Sequence, residues 1–366
     1  MIIDNKKKRN LDAILLGMTI AIFIIGMLAI YSATQARALS FRESYVFRQA
    51  IWFAIGTIFL FSSVRISYQK FIDASYILYG INVSLLVLVL VLGHVRLGAQ
   101  RWFAIGNFAF QPSEFMKLSL ILALSAYIGQ RKDTMQSLAS LIMPCVIMAI
   151  PFVLVLAQPD LGTALTLLPI FFSILLIGGA RLKHLGWMTA IGILCAPFFW
   201  HCLRGYQKQR LMVFLNPNID PLGAGYTIIQ SKIAIGSGGL LGKGWLNGTQ
   251  NQLNFTPERH TDFIFSVIGE EWGFFGSIAL LLLYFMIIQR AFSIASQTSD
   301  RYGRCIATGI AVLLSTQVIV NISMTIGLMP VVGIPLPLVS YGGSSLLTTL
   351  VAVGLLLNVG MRRSTF

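Results

Sequence analysis

Residues 5–31 read NKKKRNLDAILLGMTIAIFIIGMLAIY. Four basic residues, Lys6 to Arg9, stand before an apolar run interrupted by a single acid, Asp12. A bilayer core needs roughly 20 apolar residues at about 1.5 Å of rise each. This run is long enough to cross and too long for a typical cleaved leader, so it predicts a retained membrane anchor. Working outward from 11–31, nine further segments satisfy the same length criterion: 47–66, 75–94, 114–130, 138–157, 162–179, 185–203, 263–290, 304–328 and 341–360. The expected fold class is an all-α polytopic membrane protein of about ten transmembrane helices. Residues 1–366 read as one integral membrane domain, with 204–262 as a large extracytoplasmic loop inside it.

Composition supports this class. The chain is 56% hydrophobic and 11% charged, against about 25% charged in soluble domains. An ordinary soluble enzyme, a disordered chain and a disulfide-stapled domain are thereby excluded. The net charge of +14, from 27 Lys and Arg against 13 Asp and Glu, resembles a nucleic-acid footprint until the bases are placed. Fifteen of them fall in connections on the N-terminal side, among them Lys6, Arg65, Arg131, Arg181, Arg290 and Arg362. Eleven lie on the opposite side, and Lys117 falls within a span. An even number of spans puts both termini together, and the positive-inside rule assigns them to the cytoplasm. The charge therefore sets topology, and no nucleic-acid partner is expected. Cys145, Cys195, Cys202 and Cys305 form no ligand pair, and His94, His184, His201 and His260 lack metal spacing.

The scarce acids mark the chemistry, because an ionisable group in a span is costly and by default functional. In Phe110-Gln-Pro-Ser-Glu-Phe-Met-Lys117, Ser113 is a candidate N-cap, and Glu114 and Lys117 share a helix face. The plain alternative is a self-neutralising structural pair. Asp160, in Gln158-Pro-Asp-Leu-Gly-Thr163, precedes an apolar helical run and suits an N-cap as well as a chemical role. The segment Tyr226 to Ile235 is amphipathic. Gly236-Ser-Gly-Gly-Leu-Leu-Gly-Lys-Gly244 fails the phosphate-loop spacing and reads as a flexible turn, whose N–H groups remain available to a diphosphate. Pro257-Glu-Arg-His-Thr-Asp-Phe-Ile-Phe265 is the densest polar cluster and places Asp262 at a helix N-terminus. Glu270 and Glu271 follow, with Glu270 about 80° around a helix from Asp262, so the two are expected to line one groove. Pro330 to Pro337 carries three prolines and reads as rigid or re-entrant. Leu338-Val-Ser-Tyr-Gly-Gly-Ser-Ser345 reads as a close-packing helix start.

Four of these motifs, in order, resemble the SEDS family (shape, elongation, division and sporulation proteins). They are Gln111-Pro-Ser-Glu114, Gln158-Pro-Asp-Leu-Gly162, His260-Thr-Asp-Phe-Ile-Phe265 and Ser340-Tyr-Gly-Gly343. The resemblance covers nearly the whole chain. Asp220 to Tyr226, Lys243 to Gln250 and Glu258 to Asp262 look like the elongation branch; the division branch typically has Ala where Arg259 stands. Asn247 and Asn254 are small departures. The resemblance implies a peptidoglycan glycosyltransferase that polymerises lipid II during cell elongation and rod-shape maintenance, at the outer face of the cytoplasmic membrane. It implies a class B penicillin-binding protein as partner, alongside other elongation-complex proteins, undecaprenyl diphosphate and membrane lipid. The family's essential aspartate falls on Asp262, its cavity acid and base on Glu114 and Lys117, and a further motif acid on Asp160. Converting an α-linked diphosphate into a β-1,4 bond is one inversion, which needs a base for the acceptor hydroxyl and neutralisation of the leaving diphosphate. Asp262 is the candidate base, or a ligand of a divalent cation such as Mg²⁺ or Mn²⁺. Lys117, Arg210 and Lys232 are the candidates for the phosphates. The rival readings are a lipid II flippase, which wants ionisable groups near the midplane, and a scaffold that only activates its partner.

Overall fold

The computed structural model describes residues 11–35, 44–96, 99–105, 108–131, 135–203, 205–221, 223, 225–253, 255 and 257–362. Lys6 to Arg9, Arg37, Arg42, Lys132, Arg204, Asn254 and Arg363 lie outside the described residues. In chain order the helices are α1 (Ala13–Thr34), α2 (Tyr45–Arg65), α3 (Tyr68–Asp73), α4 (Ser75–Leu92), α5 (Pro112–Gln130), α6 (Leu138–Ala157) and α7 (Leu161–Ile177). There follow α8 (Leu182–Cys202), α9 (Gly205–Leu215), α10 (Tyr226–Ser237), α11 (Thr249–Gln252), α12 (Ile264–Gln297), α13 (Arg301–Thr325) and α14 (Gly343–Arg362).

Each of the ten apolar segments coincides with a helix: α1, α2, α4, α5, α6, α7, α8, α12, α13 and α14. Seven of them are long and apolar enough to cross a membrane unaided, and α7 is apolar but only 17 residues long. The others, α5 and α8, carry polar groups within otherwise apolar sequence, such as Glu114 and Lys117 in α5. The chain is a helical membrane protein. A three-stranded antiparallel meander, β1 (His94–Arg96), β2 (Ala99–Ile105) and β3 (Phe108–Phe110), adds an element that the span count does not anticipate.

The core is built from α5, α13 and α14, which are buried on nearly every face. Around them α2 packs on α14, α4 on α5, α7 on α13 and α12 on α13, with α1 against α12. Perimeter helices expose large apolar side chains such as Ile77, Val91, Leu194 and Phe275, as a lipid-facing surface requires. Helix α8 buries little beyond Leu185.

At one end of the bundle the described basic connections gather. Arg290 pairs with Asp12, the N-cap of α1, at 2.6 Å. Arg301 donates to Arg131 O and Arg362 to Arg65 O. The remaining connections meet at the other end, referred to below as the Asp262 end. There β2 reaches the α6–α7 link, α9 reaches the Pro330–Pro337 segment, and that segment reaches Asp262.

Candidate functional site

Two expected helix starts fall differently in the structure. Pro112 begins α5, so Gln111 rather than Ser113 is its N-cap residue, in keeping with proline's preference for the first helical position. Ser113 Oγ instead accepts from the Gln111 side-chain amide at 3.0 Å. Helix α12 begins at Ile264 after Phe263, with no side-chain cap. The Asp262 carboxylate is therefore not spent on capping. Asp160, by contrast, is the N-cap of α7, accepting from Thr163 N–H at 3.2 Å and Thr163 Oγ1 at 2.9 Å.

The acids form a graded series from sealed to open. Glu114 and Lys117 lie one turn apart on α5, both buried, and pair at 2.7 Å. Just above them Gln111 bridges outward, donating to Asp160 Oδ2 at 3.2 Å. Asp160 is itself buried and faces Arg101 at 3.6 Å. The Arg101 guanidinium is fixed by the chain it crosses: Nε donates to Gln158 O at 3.2 Å, and Nη2 donates to Pro159 O. Tyr206 of α9 joins the same carbonyl at 2.9 Å.

Beside this stitch lies an open cleft lined by Arg101, Tyr206, Gln207, Arg210 and Val332 among others. Arg210 sits over the Tyr206 ring at 5.8 Å and donates one N–H to Val331 O at 3.3 Å. Asp262 lies within electrostatic reach of Arg210, Arg101, Asp160 and Glu258. Among the described residues nothing hydrogen-bonds its carboxylate. Desolvation pushes its pKa from 3.8 up to about 6; Glu258 adds to the rise, Arg210 and Arg101 oppose it, and Asp160 adds a smaller increase. The structure thus brings Asp262, Asp160 and Arg210 to one place, with Glu114 and Lys117 beneath. Lys232 stands apart: it is exposed on α10, lies against Gly327, and is not among the charges acting on Asp262.

Among the described residues, no three His, Cys, Asp or Glu side chains converge as a metal cage. Asp160 has its oxygens committed to Thr163 and Gln111. The donor set fits a divalent ion only as one protein carboxylate, Asp262, with the rest of the shell from water and substrate oxygens, a mode usual for Mg²⁺.

Glu270 and Glu271 do not share the groove with Asp262, as the helical spacing suggests, because Asp262 precedes the helix. Glu270 is buried and receives Lys243 Nζ at 2.8 Å, Gln250 N–H at 2.9 Å and Asn251 N–H at 3.2 Å. Glu271 receives Ser32 Oγ, Asn251 Nδ2 and Leu246 N–H. Nor is Gly236–Gly244 a flexible turn with free donors. Lys243 N–H and Gly244 N–H both donate, at 3.0 Å, to the main-chain carbonyls of Glu270 and Glu271. The two backbones approach so closely at Gly242 (φ 80°) and Gly273 (φ 66°) that neither position has room for a Cβ. Lys243 is consequently neutralised where it stands.

Three site residues escape a local reading. Arg101 reads only as one loop base, since its partners lie 57 residues and more along the chain. Ser340 reads as a helix-packing residue, yet its hydroxyl binds Thr261 O at 2.6 Å. Asn321 sits with Gln317 in one apolar span; polar groups there call for partners, but nothing local names them.

A bundle with one sealed ion pair and a partly open acid between guanidinium groups defines a polytopic membrane protein with a polar site at one end. Its sequence matches the family model described as "Cell cycle protein", FtsW/RodA/SpoVE, over residues 12–365. The chain belongs to this family, the SEDS proteins. It is 40% identical over 363 residues to the peptidoglycan glycosyltransferase MrdB of Escherichia coli K12, covering 98% of each chain. Two solved structures are similar. A chain described under "Structural coordination of polymerization and crosslinking by a peptidoglycan synthase complex" superposes with a TM-score of 0.82 at 35% identity, covering 97% of this chain and 99% of that one. The rod shape determining protein RodA of Thermus thermophilus gives 0.72 at 32% identity, covering 97% and 98%.

Proposed function

We propose that the chain is a peptidoglycan glycosyltransferase that polymerises lipid II at the outer face of the bacterial cytoplasmic membrane, serving cell elongation. Both termini then lie in the cytoplasm, residues 1–366 act as one membrane unit, and the Asp262 end, including 204–262, faces outward. A class B penicillin-binding protein is the partner that crosslinks the product. The observation that carries this reading is the Asp262 carboxylate: without a hydrogen-bond partner among the described residues, held near a pKa of 6, and placed beside the arginine-lined cleft. A base that is free and poised near the working pH is what deprotonation of a sugar hydroxyl requires.

In the reaction, the acceptor 4-hydroxyl attacks the anomeric carbon of the donor sugar as its proton passes to Asp262. The bond from that carbon to the phosphate oxygen breaks, and its electron pair leaves with undecaprenyl diphosphate. Arg210 has N–H groups beyond the one bound to Val331 O and takes the diphosphate directly. Arg101 acts as a fixed charge, because its own donors hold the Gln158–Pro159 carbonyls. Asp160 holds Gln111 and the α7 start, and the main chain of Glu114 donates to Gln111 O at 3.2 Å. Asp262 would be the protein ligand of a divalent ion, which would supply positive charge for the leaving diphosphate.

The test is polymerisation of lipid II by the purified protein with its penicillin-binding partner. Asp262→Asn should abolish glycan strands while leaving the complex intact. Strands made at the normal rate by that variant would overturn the assignment. Translocation of lipid II across liposomes with no polymer formed by the wild type would move the protein to the flippase class.

A further inference from the structure

We propose that Asn321 is a positioning residue that aims the Asp262 carboxylate by tying its main chain to the Pro330–Pro337 segment. This rests on the reading of Asp262 as the base.

Three consecutive carbonyls lead into Asp262, and each is held by a different group. His260 O accepts from Tyr341 N–H at 2.9 Å. Thr261 O accepts from Ser340 Oγ at 2.6 Å. Asp262 O accepts from Asn321 Nδ2 at 2.9 Å. The same Asn321 nitrogen also donates to Ile334 O at 2.8 Å. Ser340 Oγ likewise faces both ways, accepting from Leu336 N–H at 2.8 Å. Two side chains thus replace the rungs that main-chain bonds would supply between these two irregular segments.

The strut controls direction because of what lies beside it. Residue 333 is glycine at φ 74°, and a Cβ there would stand 3.3 Å from Asp262 Oδ2. Its neighbour Val331 receives Arg210, and Val332 O lies against Gly162, two residues beyond Asp160. Fixing Ile334 therefore fixes the wall against which the carboxylate rests, and fixing Asp262 O fixes the peptide from which it projects. Asn321 is completely buried on α13, so no water can substitute for its two donors. A primary amide supplies both donors from one nitrogen; serine supplies one, and an ionised aspartate none.

The groups facing Asp262 are Glu258 from its own loop, Arg210 from α9, Arg101 from β2 and Asp160 ahead of α7. Asn321→Ala releases the carboxylate from its enclosed setting. We expect kcat to fall about ten- to a hundredfold with KM little changed, from the loss of two buried hydrogen bonds. The low-pH limb of the rate should move toward an ordinary carboxylate value. Asn321→Asp adds a negative charge beside Asp262 O, and its limb should move the opposite way. Asn321→Ser, which keeps one donor, should recover part of kcat. A residue with only a structural role would lower the active fraction equally at every pH.

The measurement is lipid II polymerisation by the purified complex between pH 5 and 8, with folded fraction read by size exclusion and Asp262→Asn assayed in parallel. If Asp262→Asn is inactive while Asn321→Ala keeps the wild-type kcat and limb, the positioning role is wrong and the base survives. If Asp262→Asn is active, the base reading itself fails. If no Asn321 variant folds, Ser340→Ala removes the neighbouring strut at Thr261 and must lower kcat with KM little changed, with Ser340→Thr recovering part of it; an unchanged kcat there overturns the proposal.

Discussion

The acid limb of the pH–rate profile offers the most direct measurement on the site. The structure holds Asp262 near a pKa of 6, against 3.8 for an unperturbed side chain. If its ionised form is the base, activity follows the ionised fraction. At pH 7 that fraction is about nine tenths, and at pH 5 about one tenth, from the mass-action relation for one site. Polymerisation should therefore fall roughly tenfold between pH 7 and pH 5, whereas an ordinary carboxylate would lose under a tenth of its rate over that interval. Two substitutions fix the cause by sign. Glu258→Gln removes a charge that raises the pKa and should move the midpoint down. Arg210→Gln removes a charge that lowers it and should move the midpoint up, with a raised KM if Arg210 also binds the diphosphate. The assay is the initial rate of strand formation at lipid II well below KM, where the profile reports the free enzyme's groups, in buffers of constant ionic strength. A flat profile from pH 5 to 7, or midpoints that move in the reverse directions, would refute the assignment of Asp262 as a desolvated base.

Two further outcomes concern stability. An acid whose folded pKa lies above its unfolded value binds its proton more tightly when folded, so stability declines as pH rises from about 4 through about 6. Asp262→Asn should accordingly stabilise the fold at pH 7 by on the order of 1 kcal/mol after discounting for partial exposure, seen as a raised melting temperature, and should do nothing at pH 4. Glu114→Gln leaves Lys117 buried and unpaired and should cost about 3–5 kcal/mol, seen as a lowered melting temperature in detergent, and adding Lys117→Met should recover most of it. An unchanged melting temperature for the single variant would mean that the pair is not sealed as described.

The helices were readable because each needs only its own apolar length. The ten segments required no knowledge of partners, and α12 differs from its expected extent in running on to Gln297, with a kink at Gly273 inside the expected span. The site was readable in its acids and less so in their company. Asp160 announced itself as a cap through the apolar run that follows it. Arg101 gave no local sign, because its task depends on a strand meeting a link 57 residues away. Glu270 and Glu271 misled for a related reason: helical phase relates two residues only when both are in the helix, and Asp262 is not. The glycines of 236–244 suggested freedom, yet close contact with a second backbone is what requires them.

The Glu114–Lys117 pair has an electrical consequence as well. A unit charge moved across a polarised membrane exchanges about 2.3 kcal/mol per 100 mV. The pair sits three residues apart on one helix and sums to zero, so the field does no net work on it in translation. The interior beneath Asp262 can therefore stay polar without becoming a voltage sensor, and its structure should hold equally in energised and de-energised cells.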